Sequence, residues 1–156
     1  MQTKTMEEAY DQCLAEGHIN TVKQIDTEKI RSLTDNASTI TNIAEIVKKS
    51  IDKQAKEWLG VYTGYYDAIR IYTEALLLFD MLKSNNHQCL FALLCVKHPE
   101  LELSWDFFEK IRTKRNGINY YGEHITDRDW KEVELQMKLY AKSMKDEINS
   151  RLNASK

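Results

Sequence analysis

The chain has 156 residues, enough for one domain with a real core, and its net charge of −2 draws the molecule as a whole to neither nucleic acid nor an anionic membrane. Hydrophobic residues make up 42% and charged residues 29%, the balance of a soluble globular protein, so any anion-binding site has to be a local patch. One proline and five glycines leave few interruptions and favour helices over turn-rich β structure. The start, Met1-Gln2-Thr3-Lys4-Thr5-Met6, lacks the apolar segment of a signal peptide. The longest apolar run, Ala75 to Phe79, is far short of the roughly 20 residues of a membrane span. Cys13, Cys89 and Cys95 show no framework spacing and read as reduced thiols in a cytoplasmic protein.

Met6 to Glu16 reads as a short helix stopped by Gly17, which takes the left-handed C′ conformation freely. Asp26 is placed to cap a second helix. From there Ile30, Leu33, Ala37, Ile40, Ala44, Val47, Ile51, Ala55 and Trp58 recur at steps of three and four, one apolar stripe sustained for about eight turns that reads as one long amphipathic helix, with Asn36 as a candidate break. Gly60 and Gly64 loosen the chain before a third helix, Tyr65 to about Lys83. Its apolar residues cover most sides, as in the central helix of a bundle. Ser84-Asn85-Asn86 is a turn with a cap, followed by a fourth helix, His87 to Val96, ended by Pro99. Ser104 caps a fifth helix that Gly122 ends. Thr126 and Asp129 form a capping box at the head of the last helix, along which Trp130, Val133, Met137, Tyr140, Met144 and Ile148 make one face. The tail after Ser150 is expected to fray. No strand-like alternation and no internal repeat is visible. The expected fold is all-α, an up-and-down bundle of about five to six helices in one domain, by the usual lengths of such elements.

The fifth helix carries the densest polar chemistry: Arg112-Thr113-Lys114-Arg115-Asn116-Gly117-Ile118-Asn119-Tyr120-Tyr121-Gly122. Residues three, four and seven apart share a helix face, so Arg112, Arg115, Asn116 and Asn119 form one stripe. Guanidinium forks suit phosphate oxygens, asparagine adds a neutral donor and acceptor, and tyrosine offers a stacking ring with a polar tip. Lys110, Arg112, Lys114 and Arg115 make this the most basic short stretch. A solvated face at a helix C-terminus would have the same composition. Asn116 and Gly117, however, are poor helix formers that cost roughly 0.5–1 kcal/mol each against alanine.

Other constellations are weaker. His87, Cys89, Cys95 and His98 have the types of zinc ligands, but Cys89 and Cys95 are turned about 120° apart on one helix, unlike the tight pairs of structural zinc sites. Buried cysteines, a capping His87 and a surface His98 fit better, and no metal or cofactor is expected. A thiolate is disfavoured for Cys89 and Cys95 in an apolar helix. No phosphate-cradling glycine loop, HExxH pair or GxSxG elbow is present.

Three segments together resemble the HEPN superfamily (higher eukaryotes and prokaryotes nucleotide-binding), in a compact prokaryotic branch. They are the helix beginning Gly64-Tyr65-Tyr66-Asp67-Ala68-Ile69-Arg70, the turn Lys83-Ser84-Asn85-Asn86-His87-Gln88-Cys89, and Ile111 to Gly122. The resemblance covers residues 61–150 best, with 1–60 as leading helices. It implies an all-α homodimer whose motif helices face each other, and in many members a metal-independent ribonuclease, often a toxin of a toxin–antitoxin or defence system. The family motif is an arginine, usually followed by a polar residue, then four to six residues and a histidine. Arg115 and Asn116 match its first half. Tyr120 stands where the histidine is expected, and eight residues separate Arg115 from His124. Histidine suits proton transfer near neutral pH, whereas tyrosine, with an ordinary pKa of ~10, is a poor base.

Three functions follow. A HEPN-type ribonuclease would use Arg115, Asn116 and Tyr120 at the phosphate, with Arg112, Asn119, Tyr121 and His124 binding the RNA or nucleotide. A non-catalytic module would grip RNA or a nucleotide, or partner an antitoxin or a nucleotidyltransferase that modifies Tyr120 or Tyr121. A purely structural protein would use the stripe to pair two copies. None involves a membrane.

Overall fold

A computed structural model describes residues 3–155 of the chain. Met1, Gln2 and Lys156, at the outer ends of the expected leader-free start and fraying tail, lie outside the described residues. Among the described residues six helices run in the order α1 (Met6–Ala15), α2 (Thr27–Ser50), α3 (Trp58–Phe79), α4 (His87–Lys97), α5 (Trp105–Tyr121) and α6 (Asp127–Ala154). A single 3-10 turn, Pro99–Leu101, joins α4 to the segment before α5. The all-α expectation holds with one exception. Two-residue strands β1 (Asn20–Thr21) and β2 (Leu82–Lys83) pair antiparallel, which the sequence did not announce. Pairs this short carry no alternation to detect. No helix among the described residues is long and apolar enough to cross a membrane.

The helix starts follow local chemistry. Thr5 and Glu8 form a capping box at α1, Asp26 accepts from the Lys29 N–H at α2, and Asn86 accepts from the Cys89 N–H at α4. Ser104 caps α5, and Thr126 with Asp129 boxes α6. Gly122 closes α5 in the left-handed region, at φ 64°. α6 stays helical to Ala154, past the expected fraying point.

The long stripe from Ile30 to Trp58, expected as one helix, is split between two. The chain leaves α2 at Ile51, in extended backbone, and re-enters helix at Trp58. Asp52 holds the intervening turn: its carboxylate accepts from the Gln54 N–H, and its carbonyl accepts from the Trp58 indole. α3 then runs back along α2, with Tyr65 donating to Glu45 at 2.5 Å and a Cβ at Gly64 coming within 3.6 Å of Ala44 and Ile40. Gly60 and Gly64 therefore lie inside α3 rather than in a loop. The helix also ends earlier than expected, at Phe79, where Asp80 and a left-handed Met81 turn the chain into β2.

α3 is the core of the bundle. Val61, Tyr62, Tyr66, Ile69, Tyr72 and Leu76 are fully buried against α2, α4, α5 and α6. α1 packs on α4 and is tied to it by a disulfide, Cys13–Cys89, spanning 76 residues. The expectation of three reduced thiols is thus corrected: so large a separation leaves no spacing signature, and only the packing of the two helices brings the sulfurs together. Cys95 remains free and buried, its thiol pushed up to about 12 by burial.

His98 is also corrected, from surface to core, at 5% exposure. Its Nε2 faces Asp80 at 2.5 Å and its Nδ1 faces Glu100 at 2.8 Å, while Arg151 reaches Nδ1 at 3.3 Å and pairs with Glu147. This clasp joins the ends of α3, α4 and α6.

Candidate phosphate-binding site

Aromatic packing fixes where the motif of α5 lies. Phe91 of α4 stacks on Phe108 of α5, with centroids 4.6 Å apart and planes 7° from parallel, and Tyr66 of α3 meets Phe91 edge-on at 6.0 Å. Arg112 and Arg115 follow Phe108 by four and seven residues and therefore share its face. His87 precedes Phe91 by four residues and lies on the matching face of α4. The three rings form a floor, and the polar side chains of three helices converge above it.

The Arg115 guanidinium lies 5.4 Å from the centroid of the Tyr66 ring, a cation–π placement, and its Nη2 is 3.9 Å from Asp67 Oδ1. The Tyr66 hydroxyl is 3.1 Å from Nδ1 of His87. Arg70, one turn beyond Tyr66, donates to Glu74 at 2.7 Å. Arg112 is fully committed: its Nε and Nη2 donate to the two oxygens of Glu109 at 2.8 and 2.9 Å, and Glu109 also accepts from Gln88. Those bonds raise the Arg112 pKa. Of the three arginines, Arg115 alone holds its carboxylate only at the long end of ion-pair distance, where such a contact is worth little. Asp67 Oδ1 and Arg70 Nε are buried with no hydrogen-bond partner among the described residues, a state that polar atoms rarely keep.

The field of this cluster acts on its titratable groups. Burial, then the Arg70 and Arg115 guanidiniums, lower the pKa of His87, with Asp67 opposing. Burial pushes Tyr66 up to about 12, against the pull of Arg115, Arg112 and Arg70, so its hydroxyl keeps its proton.

The sequence-predicted residues divide. Arg115 and Arg112 enter the cluster, and Asn116 is half-buried beside Arg115. Asn119, Tyr120, Tyr121 and His124 lie at the exposed end of α5 and its following loop, with Tyr120 77% and Tyr121 81% exposed. No side-chain contact within the described residues brings Tyr120 or His124 to Arg115. The basic stretch is split as well. Lys110 and Lys114 face the other way, toward α6, at 3.8 Å from Glu132 and 3.7 Å from Asp129. They line a mixed-charge cavity of about 620 Å³ with Tyr62, Glu123, Asp129 and Glu132. Gly117 has a structural reason: the Glu123 carboxylate folds back onto it, into the space a Cβ would take.

From the sequence, Tyr66, Asp67 and Arg70 stand only in the segment that carries the resemblance, and His87 only as a weak zinc candidate and a cap; none was assigned to this site. Asp67 and Arg70 left a signal, as charged residues within a helix otherwise apolar on most sides. His87 was expected to cap α4, but Asn86 does so, and His87 is the first helical residue. No family model matches the chain, and no curated protein or solved structure matches it.

Proposed function

We propose that the protein handles RNA phosphodiesters at Arg115 as a HEPN-type, metal-independent ribonuclease, the toxin half of a toxin–antitoxin or defence pair, acting as a homodimer. The observation that carries this reading is the state of Arg115. It is a partly exposed guanidinium whose nearest carboxylate is 3.9 Å away, on an aromatic floor, beside a histidine. A fork so loosely held is available to a phosphate, and in a partly desolvated site it stabilises the charge that grows on a phosphorane. Asn116 adds a neutral donor next to it. The fork of Arg112 is spent on Glu109, so its part is to hold the helix face rather than to grip the strand. The metal independence, the toxin role and the dimer rest on the resemblance of the motif region to the family.

A second reading, binding without cleavage, is favoured by the exposure of Tyr120, the position of the family's histidine. There the two tyrosines would stack on bases, meet a second copy of the chain or accept a nucleotide from a partner nucleotidyltransferase. Incubation of the purified protein with single-stranded RNA in EDTA separates the two. The ribonuclease reading expects cleavage that falls by roughly 100–1000-fold in Arg115→Ala, the cost of losing one transition-state donor. Cleavage undiminished in Arg115→Ala rejects the site. Salt-sensitive binding without cleavage, lost in Arg115→Ala, selects the second reading.

A further inference from the structure

The arginine–asparagine motif supplies no proton acceptor suited to neutral pH, yet the fold brings a histidine from another helix to the same ring that supports Arg115. We propose that His87, held through its Nδ1 by the Tyr66 hydroxyl, takes the proton from the attacking 2′-hydroxyl of an RNA strand anchored on Arg115. This rests on the ribonuclease reading above and assigns its missing base.

The geometry is a shared platform. Tyr66 touches His87 with its hydroxyl at 3.1 Å and carries Arg115 over its ring at 5.4 Å. When Nδ1–H donates to the tyrosine oxygen, the lone pair of Nε2 is left over, and Nε2 bonds to no protein group among the described residues. Tyr66 is thereby a positioning residue, which fixes the ring orientation that a base requires. Asp67 Oδ1, which meets Arg115 only at the long end of ion-pair distance, and Arg70 Nε are buried without a hydrogen bond among the described residues and point to a polar occupant, since such atoms are normally satisfied.

The step balances within the strand and water. Nε2 takes the 2′-hydroxyl proton, the 2′-oxygen bonds to phosphorus, and the bond from phosphorus to the next nucleotide's 5′-oxygen breaks. That oxygen takes a proton from water, and the imidazolium returns its own to solvent. The products are a 2′,3′-cyclic phosphate and a 5′-hydroxyl. The charged groups around His87 are Asp67 and Arg70 from α3 and Arg112 and Arg115 from α5, the excess being positive around the imidazole apart from Asp67. Burial and those guanidiniums favour the neutral ring, so His87 is unprotonated at pH 7 and activity is lost as pH falls through a midpoint below 6.5.

The test is the pH profile of RNA cleavage in EDTA, beside affinity for a single-stranded 2′-deoxy oligonucleotide, which cannot undergo 2′-hydroxyl attack. His87→Ala and His87→Gln should keep oligonucleotide affinity within about twofold, lose cleavage by roughly 100-fold or more and lack the acidic limb. Tyr66→Phe, which keeps the ring under Arg115, should retain binding and shift the limb's midpoint. Helical circular dichroism checks that each variant is folded, and the glutamine variant carries the test where alanine fails to fold. Cleavage that needs Arg115 but persists in both His87 variants overturns the assignment and leaves the ribonuclease reading standing. A wild type that cleaves nothing at any pH removes both.

Discussion

His87 opens α4 and His98 follows its last turn, and the two imidazoles live in opposite fields. His98 is buried with each ring nitrogen against a carboxylate, Asp80 on one side and Glu100 on the other, and with Arg151 alongside. His87 is half-buried, has one neutral partner, and is surrounded by guanidiniums that disfavour its protonation. The first arrangement consumes both nitrogens and ties three helix ends together. The second leaves one nitrogen free beside a loosely held arginine. Partners, rather than residue type or exposure alone, separate a histidine that holds the fold from one that keeps a ring nitrogen uncommitted.

The sharpest way to break the comparison is to unfasten one end of α4. The Cys13–Cys89 disulfide lies two residues from His87 and closes a separation of 76 residues. Its removal in the Cys13→Ser, Cys89→Ser double variant should cost about 3–4 kcal/mol in denaturant unfolding, since a long closed loop constrains the unfolded chain most. If instead unfolding is unchanged, the α1–α4 tie contributes no stability. The next effect in size belongs to His98. His98→Ala removes two charge-assisted bonds from a buried position and should cost about 2 kcal/mol, moderated because Glu100 and Asp80 regain water. His87→Gln should cost under about 1 kcal/mol, the scale of one neutral hydrogen bond. Equal losses would erase the distinction. The smallest effect is the pH dependence of that stability. The folded pKa of His87 lies below its ordinary value, so its contribution is complete above 6.5 and is lost as pH falls through the folded pKa. The glutamine variant should lack that slope.

Much of the bundle was legible because its signals are local. Asp26, Asn86, Ser104 and Thr126 cap as their side chains dictate, and Gly122 stops α5. The break between α2 and α3 was not legible: Lys53, Gln54, Ala55 and Lys56 have nothing against helix, and the apolar stripe continues across it because both helices bury the same interface. Tertiary packing overrides propensity there. At the site, Arg115 was visible from the polar stripe of α5, but its company was not. His87 and Tyr66 lie 21 residues apart on separate helices, and no spacing rule joins them. The same blindness hid the disulfide and made the four cations of α5 look like one patch, when the helix turns the arginines and the lysines to different neighbours.

The central claim is that Arg115, Tyr66 and His87 form one site for an RNA phosphate. The most direct measurement is a titration of the labelled protein with a single-stranded 2′-deoxy oligonucleotide, following histidine-ring and arginine and lysine side-chain NMR signals. The His87 ring and the Arg115 guanidinium should shift together while the His98 ring stays in place. An oligonucleotide that binds while leaving His87 and Arg115 unmoved, with shifts confined to Lys110 and Lys114 on the opposite flank of α5, would contradict it.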